Sequence, residues 1–213
     1  MNIIRKPFKY ANFYSVYWLI GINVLIFAAA QFLGDQIRYM LTVYLSMIPA
    51  IVIQNRWIWT FFTYMFMHGN FTHIIFNMLG LFIFGVQVER QMGSREFLLY
   101  YFLTGTLAGF FSFLVYCFTG NYLAALMGAS GALFAVQLAY AVLYPNSIIY
   151  IWGILPLRAP VMVLAFTVLS LVFILTGMQG NVAHLTHLAG FAFGWLYFLI
   201  RFGVSPWKRL TSR

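Results

Sequence analysis

Residues 97–118 read FLLYYFLTGTLAGFFSFLVYCF, a run of 22 residues without a charged side chain. As an α-helix this run would be about 33 Å long, enough to cross the ~30 Å hydrocarbon core of a bilayer. Further apolar stretches lie on either side of it, separated by turn-forming pairs such as Gly93-Ser94 and Pro145-Asn146. The six predicted spans are 16–33, 71–88, 97–118, 129–144, 160–176 and 182–200, the fourth being the shortest.

The composition agrees with a membrane protein. Of 213 residues, 63% are hydrophobic and 7% are charged, whereas soluble domains carry roughly 25% charged residues. No water-soluble fold could hide so much apolar surface, so we predict an all-α membrane protein, a bundle of six transmembrane helices. The single Cys117 excludes a disulfide scaffold. The net charge of +9 is scattered over loops and tails, which argues against a nucleic-acid partner.

The bundle is expected to occupy residues 16–202, with tails at 1–15 and 203–213. The first span follows three cations and could be a signal peptide. Because five further spans follow it, we favour a retained helix. The connection 34–59 is long and rich in apolar residues, which favours helices lying in the membrane interface over a structureless loop.

The positive charges predict the orientation. Both termini lie on the same side of six crossings, and ten of the twelve Lys and Arg residues fall on that side. The positive-inside rule therefore places both termini in the cytoplasm, and we expect a prokaryotic inner membrane. The two cations on the opposite side are Arg38 and Arg56, in the long connection after the first span.

Polar residues at membrane depth are costly, and each one suggests a function. Six of them fall near the outer ends of the second, fourth and sixth spans, so three segments present polar groups at one depth. They are His68, His73, Asn77, Ser130, His184 and His187.

In the second span, His73 and Asn77 are four residues apart and share one helix face. Both can donate hydrogen bonds, and two neutral donors aimed at one point would suit an oxyanion hole. The alternative is that each satisfies the other or a backbone carbonyl between helices.

The fourth span opens with Gly128-Ala129-Ser130-Gly131. The backbone N–H groups of a first helical turn have no partner within the helix, so the Ser130 N–H could help hold an oxyanion. The glycines would let a substrate backbone come close. Small residues also recur wherever membrane helices pack closely, so this motif alone is weak.

In the sixth span, His187, Gly190 and Gly194 form one stripe. The two glycines would let another helix approach closely. If that helix is the fourth, Ser130 and His187 come within hydrogen-bond reach, and a neutral His187 could accept the serine proton. His184 is the rival base. We favour His187, because His184 has no glycine three residues on and lies nearer the outer loop.

No carboxylate is well placed for a catalytic triad, because Glu89 and Glu96 are predicted at the cytoplasmic ends and Asp35 in the outer connection. A Ser-His dyad is therefore implied. A metal or haem protein that uses His73, His184 and His187 is a rival hypothesis, although it leaves Ser130 and the glycine stripe without a role.

In this order and spacing, the motifs resemble the rhomboid family of intramembrane serine proteases. The resemblance covers the whole six-helix core. It is carried by His68-x4-His73-x3-Asn77, by Gly128-Ala129-Ser130-Gly131, by His187-x2-Gly190-x3-Gly194 and by the loop Glu89-Arg90-x2-Gly93-Ser94.

The resemblance implies Ser130 as nucleophile and His187 as general base. It also implies an oxyanion hole from His73, Asn77 and the Ser130 N–H, with His68 shaping the cavity. The long connection, the fifth span and the loop 177–183 would control substrate access. The implied partners are transmembrane protein substrates within the lipid bilayer, with no metal or other cofactor. A non-catalytic rhomboid-like binder of membrane segments is a further alternative.

The chain departs from the family pattern at two positions. Thr60 follows Trp59 where members often have Arg, which puts the anchoring of the long connection by that Arg in doubt. Phe134 stands where a Tyr often stacks on the catalytic histidine, so stacking is expected without a hydroxyl contact.

Overall fold

The computed structural model describes residues 5–151, 154–176 and 181–211, which form a bundle of α-helices with one small hairpin. The α-helices are α1 (Ser15–Phe32), α2 (Asp35–Leu45), α3 (Pro49–Asn55), α4 (Thr60–Thr63), α5 (Phe71–Gly80), α6 (Val86–Met92), α7 (Ser94–Phe118), α8 (Ser130–Leu143), α9 (Ala159–Thr176), α10 (Asn181–Tyr197) and α11 (Pro206–Thr211). A 3₁₀ turn (Tyr64–Phe66) follows α4, and π-helical segments (Leu81–Gly85 and Phe198–Phe202) follow α5 and α10. The strands are β1 (Ile148–Ile151) and β2 (Leu155–Arg158).

Each predicted span coincides with a helix, and the ends differ by at most four residues. Among the described residues, five helices are long and apolar enough to cross a membrane, with α5, the first π segment and α6 acting as one helix, Phe71–Met92. Their outer faces carry exposed apolar side chains, such as Leu25 and Leu175. The sixth helix, α8, has 14 residues and is about 21 Å long. The helical bundle is confirmed, and the crossing by α8 stays a prediction.

The short α8 lies at the centre of the bundle, where it packs most extensively on α10 and α7. Its small residues make this packing possible, because the α10 glycines lie directly against them. A Cβ on Gly190 would overlap the Gly131 carbonyl oxygen, and one on Gly194 would lie 3.2 Å from the Cβ of Ala135. Because α8 is shorter than its neighbours, Ser130 at its start is expected below their outer ends.

The long connection 34–59 is largely helical, with α2 and α3 in it, as the sequence predicted. It is tied down without an arginine beside Trp59. The Trp59 indole N–H donates to the Tyr44 carbonyl at 3.1 Å, and the Thr60 hydroxyl donates to the Trp57 carbonyl at 2.7 Å. A short bridge joins Met47 to Leu126, just before α8. The bridge to Leu126 ties the connection to the segment before α8, whereas the two other bonds lie within residues 44–60.

The hairpin of β1 and β2 was not expected. Residues 145–159 connect the fourth and fifth predicted spans, and strand pairing there brings Ile148 opposite Arg158. The signal was the run 148–151 of β-branched and aromatic residues, flanked by turn residues. Hydropathy alone could not separate this run from a helix end.

At the end of the bundle that carries Phe8 and Arg201, two buried carboxylates tie elements together. Glu89 accepts hydrogen bonds from the Ser15 and Val16 N–H groups at 2.6 and 3.0 Å, so it caps the start of α1. Glu96 accepts from the Arg201 Nε and Nη2 at 2.7 and 2.9 Å. Both acids therefore lie at the opposite end of the bundle from Ser130, where they stabilise the fold.

Candidate active site

Ser130 is the first residue of α8, so its N–H belongs to the unpaired first turn of the helix. The chain reaches it through Gly128, whose φ is +113°. A Cβ on Gly128 would overlap the imidazole Nε2 of His73. This position thus requires glycine for its conformation and for the close approach of His73.

His187 and Ser130 meet as the sequence predicted. The distance between His187 Nε2 and Ser130 Oγ is 2.9 Å. In the tautomer that carries its proton on Nδ1, Nε2 accepts the hydrogen bond from the serine hydroxyl. The contact depends on Gly190, one turn below His187, because a side chain there would push α10 away from α8.

Phe134 holds the imidazole from one side. Its ring stacks on that of His187 with centroids 4.2 Å apart and an interplanar angle of 13°. Phe134 lies one turn after Ser130 on α8, so one helix carries both the hydroxyl and the ring that positions its partner. The predicted stacking is confirmed, and the phenyl ring has no hydroxyl to offer.

His73 and Asn77 reach the same place from α5. Asn70 is the N-cap that precedes α5, and its Oδ1 accepts a hydrogen bond from the His73 N–H at 2.8 Å. Asn77 Nδ2 donates to the His73 carbonyl oxygen at 2.9 Å. One of its two amide N–H groups is therefore used by a carbonyl of its own helix, not by one between helices as in the alternative interpretation. The other N–H group is not needed for that bond.

One cavity of about 740 Å³ joins these side chains. It has polar groups towards the start of α5 and apolar groups from α8 and α9. It is lined by Asn70, Thr72, His73, Phe76, Asn77, Ser130, Leu133, Phe134, Gln137, Phe166 and His187.

His68 lies behind this cavity and does not line it. It is 1% exposed, and its ring is 5.0 Å from that of His73 at 66°. Neither ring nitrogen has a hydrogen-bond partner in the part of the chain that the structure describes. Burial, with a smaller contribution from the neighbouring His73, lowers the pKa of His68 to about 3. His68 is therefore neutral and acts on the cavity through His73.

His184 lies beside His187 and Phe173. Its ring lies 4.8 Å from that of Phe173 on α9 and 5.7 Å from that of His187, and it does not line the cavity. Within residues 5–151, 154–176 and 181–211, no three His, Cys, Asp or Glu side chains are grouped to hold a metal ion. The arrangement of His73, His184 and His187 therefore does not favour the metal hypothesis.

Several lining residues were not predicted from the sequence, including Asn70, Thr72, Gln137 and Phe166. Gln137 had a signal, since it lies seven residues after Ser130 and so on the same face of α8. Phe166 could not be found without knowing that α9 closes this side. Of the loop predicted to cap the site, residues 177–180 lie outside the described residues.

The fold and the site together define a helical membrane protein with a half-buried hydroxyl–imidazole pair in a cavity that His73 and Asn77 also line. Residues 55–204 match the family model of the Rhomboid domain. The chain belongs to the rhomboid family.

Three relatives illustrate the range of the family. Rhomboid-like protein 11, chloroplastic, of Arabidopsis thaliana is 38% identical over 62% of this chain, but this covers only 42% of its own length. Rhomboid protease GlpG of Haemophilus influenzae is 31% identical over 80% of this chain and 83% of its own. Putative rhomboid protease YdcA of Bacillus subtilis is 30% identical over 68% of this chain and 67% of its own.

Proposed function

We propose that this chain is a serine endopeptidase that cleaves transmembrane segments of other membrane proteins. Two relatives are named as rhomboid proteases. The observation that carries the proposal is the 2.9 Å contact between Ser130 Oγ and His187 Nε2, inside a cavity that His73 and Asn77 also line. A hydroxyl is a weak nucleophile until a base takes its proton, and the imidazole is placed to do this.

The reaction follows from these positions. Ser130 Oγ attacks the carbonyl carbon of the scissile peptide bond while its proton passes to His187 Nε2. The C–N bond then breaks, the amine leaves with that proton, and an acyl-Ser130 ester remains. Water loses a proton to His187, attacks the ester, and releases the new carboxyl end with Ser130 restored.

The negative oxygen formed in each half of the reaction needs donors. The Ser130 N–H at the start of α8, a His73 ring N–H and the remaining Asn77 N–H are the proposed set. All are neutral, so they suit a site of low dielectric constant, where fixed donors contribute more than they would in water.

The substrate must unwind to reach this site. In an intact helix each peptide carbonyl is hydrogen-bonded within the helix, so it cannot enter an oxyanion hole. We therefore expect targets with weak helical propensity near the outer interface, where Gly and β-branched residues lower the cost of unwinding. We further propose that both termini are cytoplasmic and that the cavity opens to the outer side.

The experiment compares purified wild type with Ser130→Ala and His187→Asn on a transmembrane substrate in detergent or liposomes. Both variants should lose at least about 10³-fold in turnover, as expected when a catalytic pair is broken. Ser205→Ala, far along the chain, and His184→Asn, one turn from His187, are the matched controls and should stay active.

A fluorophosphonate probe separates this function from non-catalytic binding of membrane segments. Wild type should be labelled at Ser130 and His187→Asn should not. Unchanged cleavage by Ser130→Ala, or unlabelled wild type that still binds substrate, would overturn the proposal.

A further inference from the structure

Thr186 precedes His187 on α10 and lies where three helices meet. Its hydroxyl oxygen and that of Ser112 on α7 are 2.6 Å apart, within hydrogen-bond distance. Its methyl group faces α8, since a Cβ on Gly131 would lie 3.2 Å from Thr186 Cγ2. Both hydroxyl-bearing residues are enclosed, with Ser112 at 0% and Thr186 at 2% exposure. The residue beside the proposed base therefore contacts both helices against which α10 packs.

The hydroxyl pair ties α10 to α7 at the end of these helices that carries the site. At their other end, the Tyr197 hydroxyl of α10 donates to Glu96 of α7. Ser112 lies 16 residues after Glu96, which is about 24 Å along the helix. The Ser112 hydroxyl also donates to the Ala108 carbonyl oxygen of its own helix at 2.8 Å. Its side chain is therefore fixed in the direction of Thr186.

This tie controls how α10 is rotated about its own axis. Consecutive residues of an α-helix point about 100° apart, so α10 directs Thr186 at α7 and His187 at Ser130 of α8. The contact between Gly190 and Gly131 sets the distance between α10 and α8. Because neither glycine has a side chain, that contact resists rotation of α10 only weakly.

The geometry indicates how much a rotation would matter. Helical side chains reach about 5–6 Å from the helix axis, so a rotation of about 10° moves an imidazole nitrogen by about 1 Å. A misplacement of that size at a catalytic group costs about 10²-fold in rate. A single hydrogen bond between membrane helices stabilises a bundle only modestly. We therefore expect the pair to affect the rate more than the stability.

We propose that Thr186 is a positioning residue for the general base. Its hydrogen bond to Ser112 fixes the rotation of α10, and this keeps His187 directed at the nucleophile. The inference rests on the proposed proteolytic function. Thr186 does not line the cavity, so it acts through His187 and has no contact with the reacting atoms.

The test removes the Thr186 hydroxyl and keeps the shape of the side chain. In full-length Thr186→Val we expect kcat on a transmembrane substrate to fall about 10-fold, with KM within about 2-fold of wild type. The rate at which a fluorophosphonate labels Ser130 should fall by a similar factor, because this reaction depends on the hydroxyl–imidazole pair and needs no substrate. Thr186→Ser keeps the hydroxyl and should restore both rates.

Ser112→Ala removes the other half of the pair and should lower kcat as much as Thr186→Val does. The double variant should be no slower than either single one, because all three variants break the same interaction. The matched control is Thr104→Val. Thr104 is 1% exposed in α7, and its hydroxyl donates to the Tyr100 carbonyl oxygen of the same helix at 2.8 Å, so this variant should keep the wild-type rates.

Wild-type kcat and labelling in Thr186→Val, additive losses in the double variant, or an equal loss in Thr104→Val would overturn the inference while leaving the protease intact. A Thr186→Ser variant as slow as Thr186→Val would also overturn it, because the hydroxyl would then have no role. If Thr186→Val does not fold, Ser112→Ala decides the test in the same way. No Ser130-dependent cleavage by wild type would instead overturn the proposed function.

Discussion

Two polar clusters lie inside this apolar bundle, and they are built in opposite ways. The first, here the terminal cluster, consists of Glu89 and Glu96 with their donors. Glu89 accepts from two backbone N–H groups and from the Ser15 hydroxyl at 2.7 Å, and the Ser94 hydroxyl donates to it as well. Glu96 accepts from Arg201 and from the Tyr197 hydroxyl. Each carboxylate of the terminal cluster therefore accepts several hydrogen bonds, and that of Glu96 is also paired with an arginine.

The second, here the cavity cluster, consists of Ser130, His187, His73, Asn77 and Gln137. It carries no carboxylate, and one of its polar atoms, Gln137 Oε1, is buried without a hydrogen-bond partner among the described residues. Saturated networks rigidify a fold, whereas open polar groups in a cavity are costly unless a ligand uses them. The difference agrees with the proposed function, in which the terminal cluster stabilises the bundle and the cavity cluster carries the chemistry.

The largest expected effect within the cavity cluster beyond the dyad is that of His73. If it donates to the oxyanion, His73→Ala should lower kcat by about 10²- to 10³-fold, the usual effect of removing one such donor, with KM little changed. Steady-state kinetics on a transmembrane substrate measures this. A variant that raised KM and kept kcat would assign His73 to substrate binding instead and would contradict the oxyanion role.

A smaller effect is expected from a change in the packing of α10, which carries His187, against α8, which carries Ser130. Gly190→Ala places a methyl group on the Gly131 carbonyl oxygen, so α10 must move and His187 with it. A displacement near 1 Å at a catalytic group can cost about 10²-fold in rate. We expect a loss of 10- to 100-fold, measured as kcat/KM.

Gly21→Ala is the matched control, because a Cβ at Gly21 in α1 meets nothing within 4 Å. This variant should keep full activity and gain slightly in helix stability. Equal activity in Gly190→Ala and Gly21→Ala would show that the α8–α10 contact does not position His187.

Much of the cavity cluster could be predicted from the sequence, because function leaves polar residues where apolar ones are expected. Four polar residues are conspicuous in or beside the apolar spans, namely His73, Asn77, Ser130 and His187. The order of the spans predicts that they lie at one depth. Their convergence around one cavity is confirmed by the structure, and their chemical roles stay predictions. Gln137 was overlooked, since a single glutamine on a helix face has no spacing rule of its own.

The helices of the fold were also predictable, because local sequence patterns mark them. Long apolar runs located the helices, and the turn residues located their ends. The hairpin of β1 and β2 was missed, because short apolar strands and helix ends have the same hydropathy. The partners of Glu89 were not predictable either, since the Ser15 N–H is 74 residues away in sequence and pairing over that distance depends on the whole packing arrangement.

Substitutions in the terminal cluster should have the opposite effect to those in the cavity cluster. They should lower the stability of the protein and leave its catalytic rate almost unchanged. Glu89 is 3% exposed and joins the start of α1 to Ser94, the first residue of α7. Glu89→Gln replaces an oxygen that accepts hydrogen bonds with an NH₂ group facing other donors. Since hydrogen bonds to a charged group contribute about 1.5–3 kcal/mol each, we expect the free energy of unfolding in detergent to fall by about 2–3 kcal/mol.

The kcat of the folded fraction should stay within about 2-fold of wild type, because Glu89 lies at the far end of the bundle from Ser130. A variant with unchanged unfolding and a lower kcat would show that the two clusters are coupled, and the division between a structural and a chemical end of the bundle would then fail.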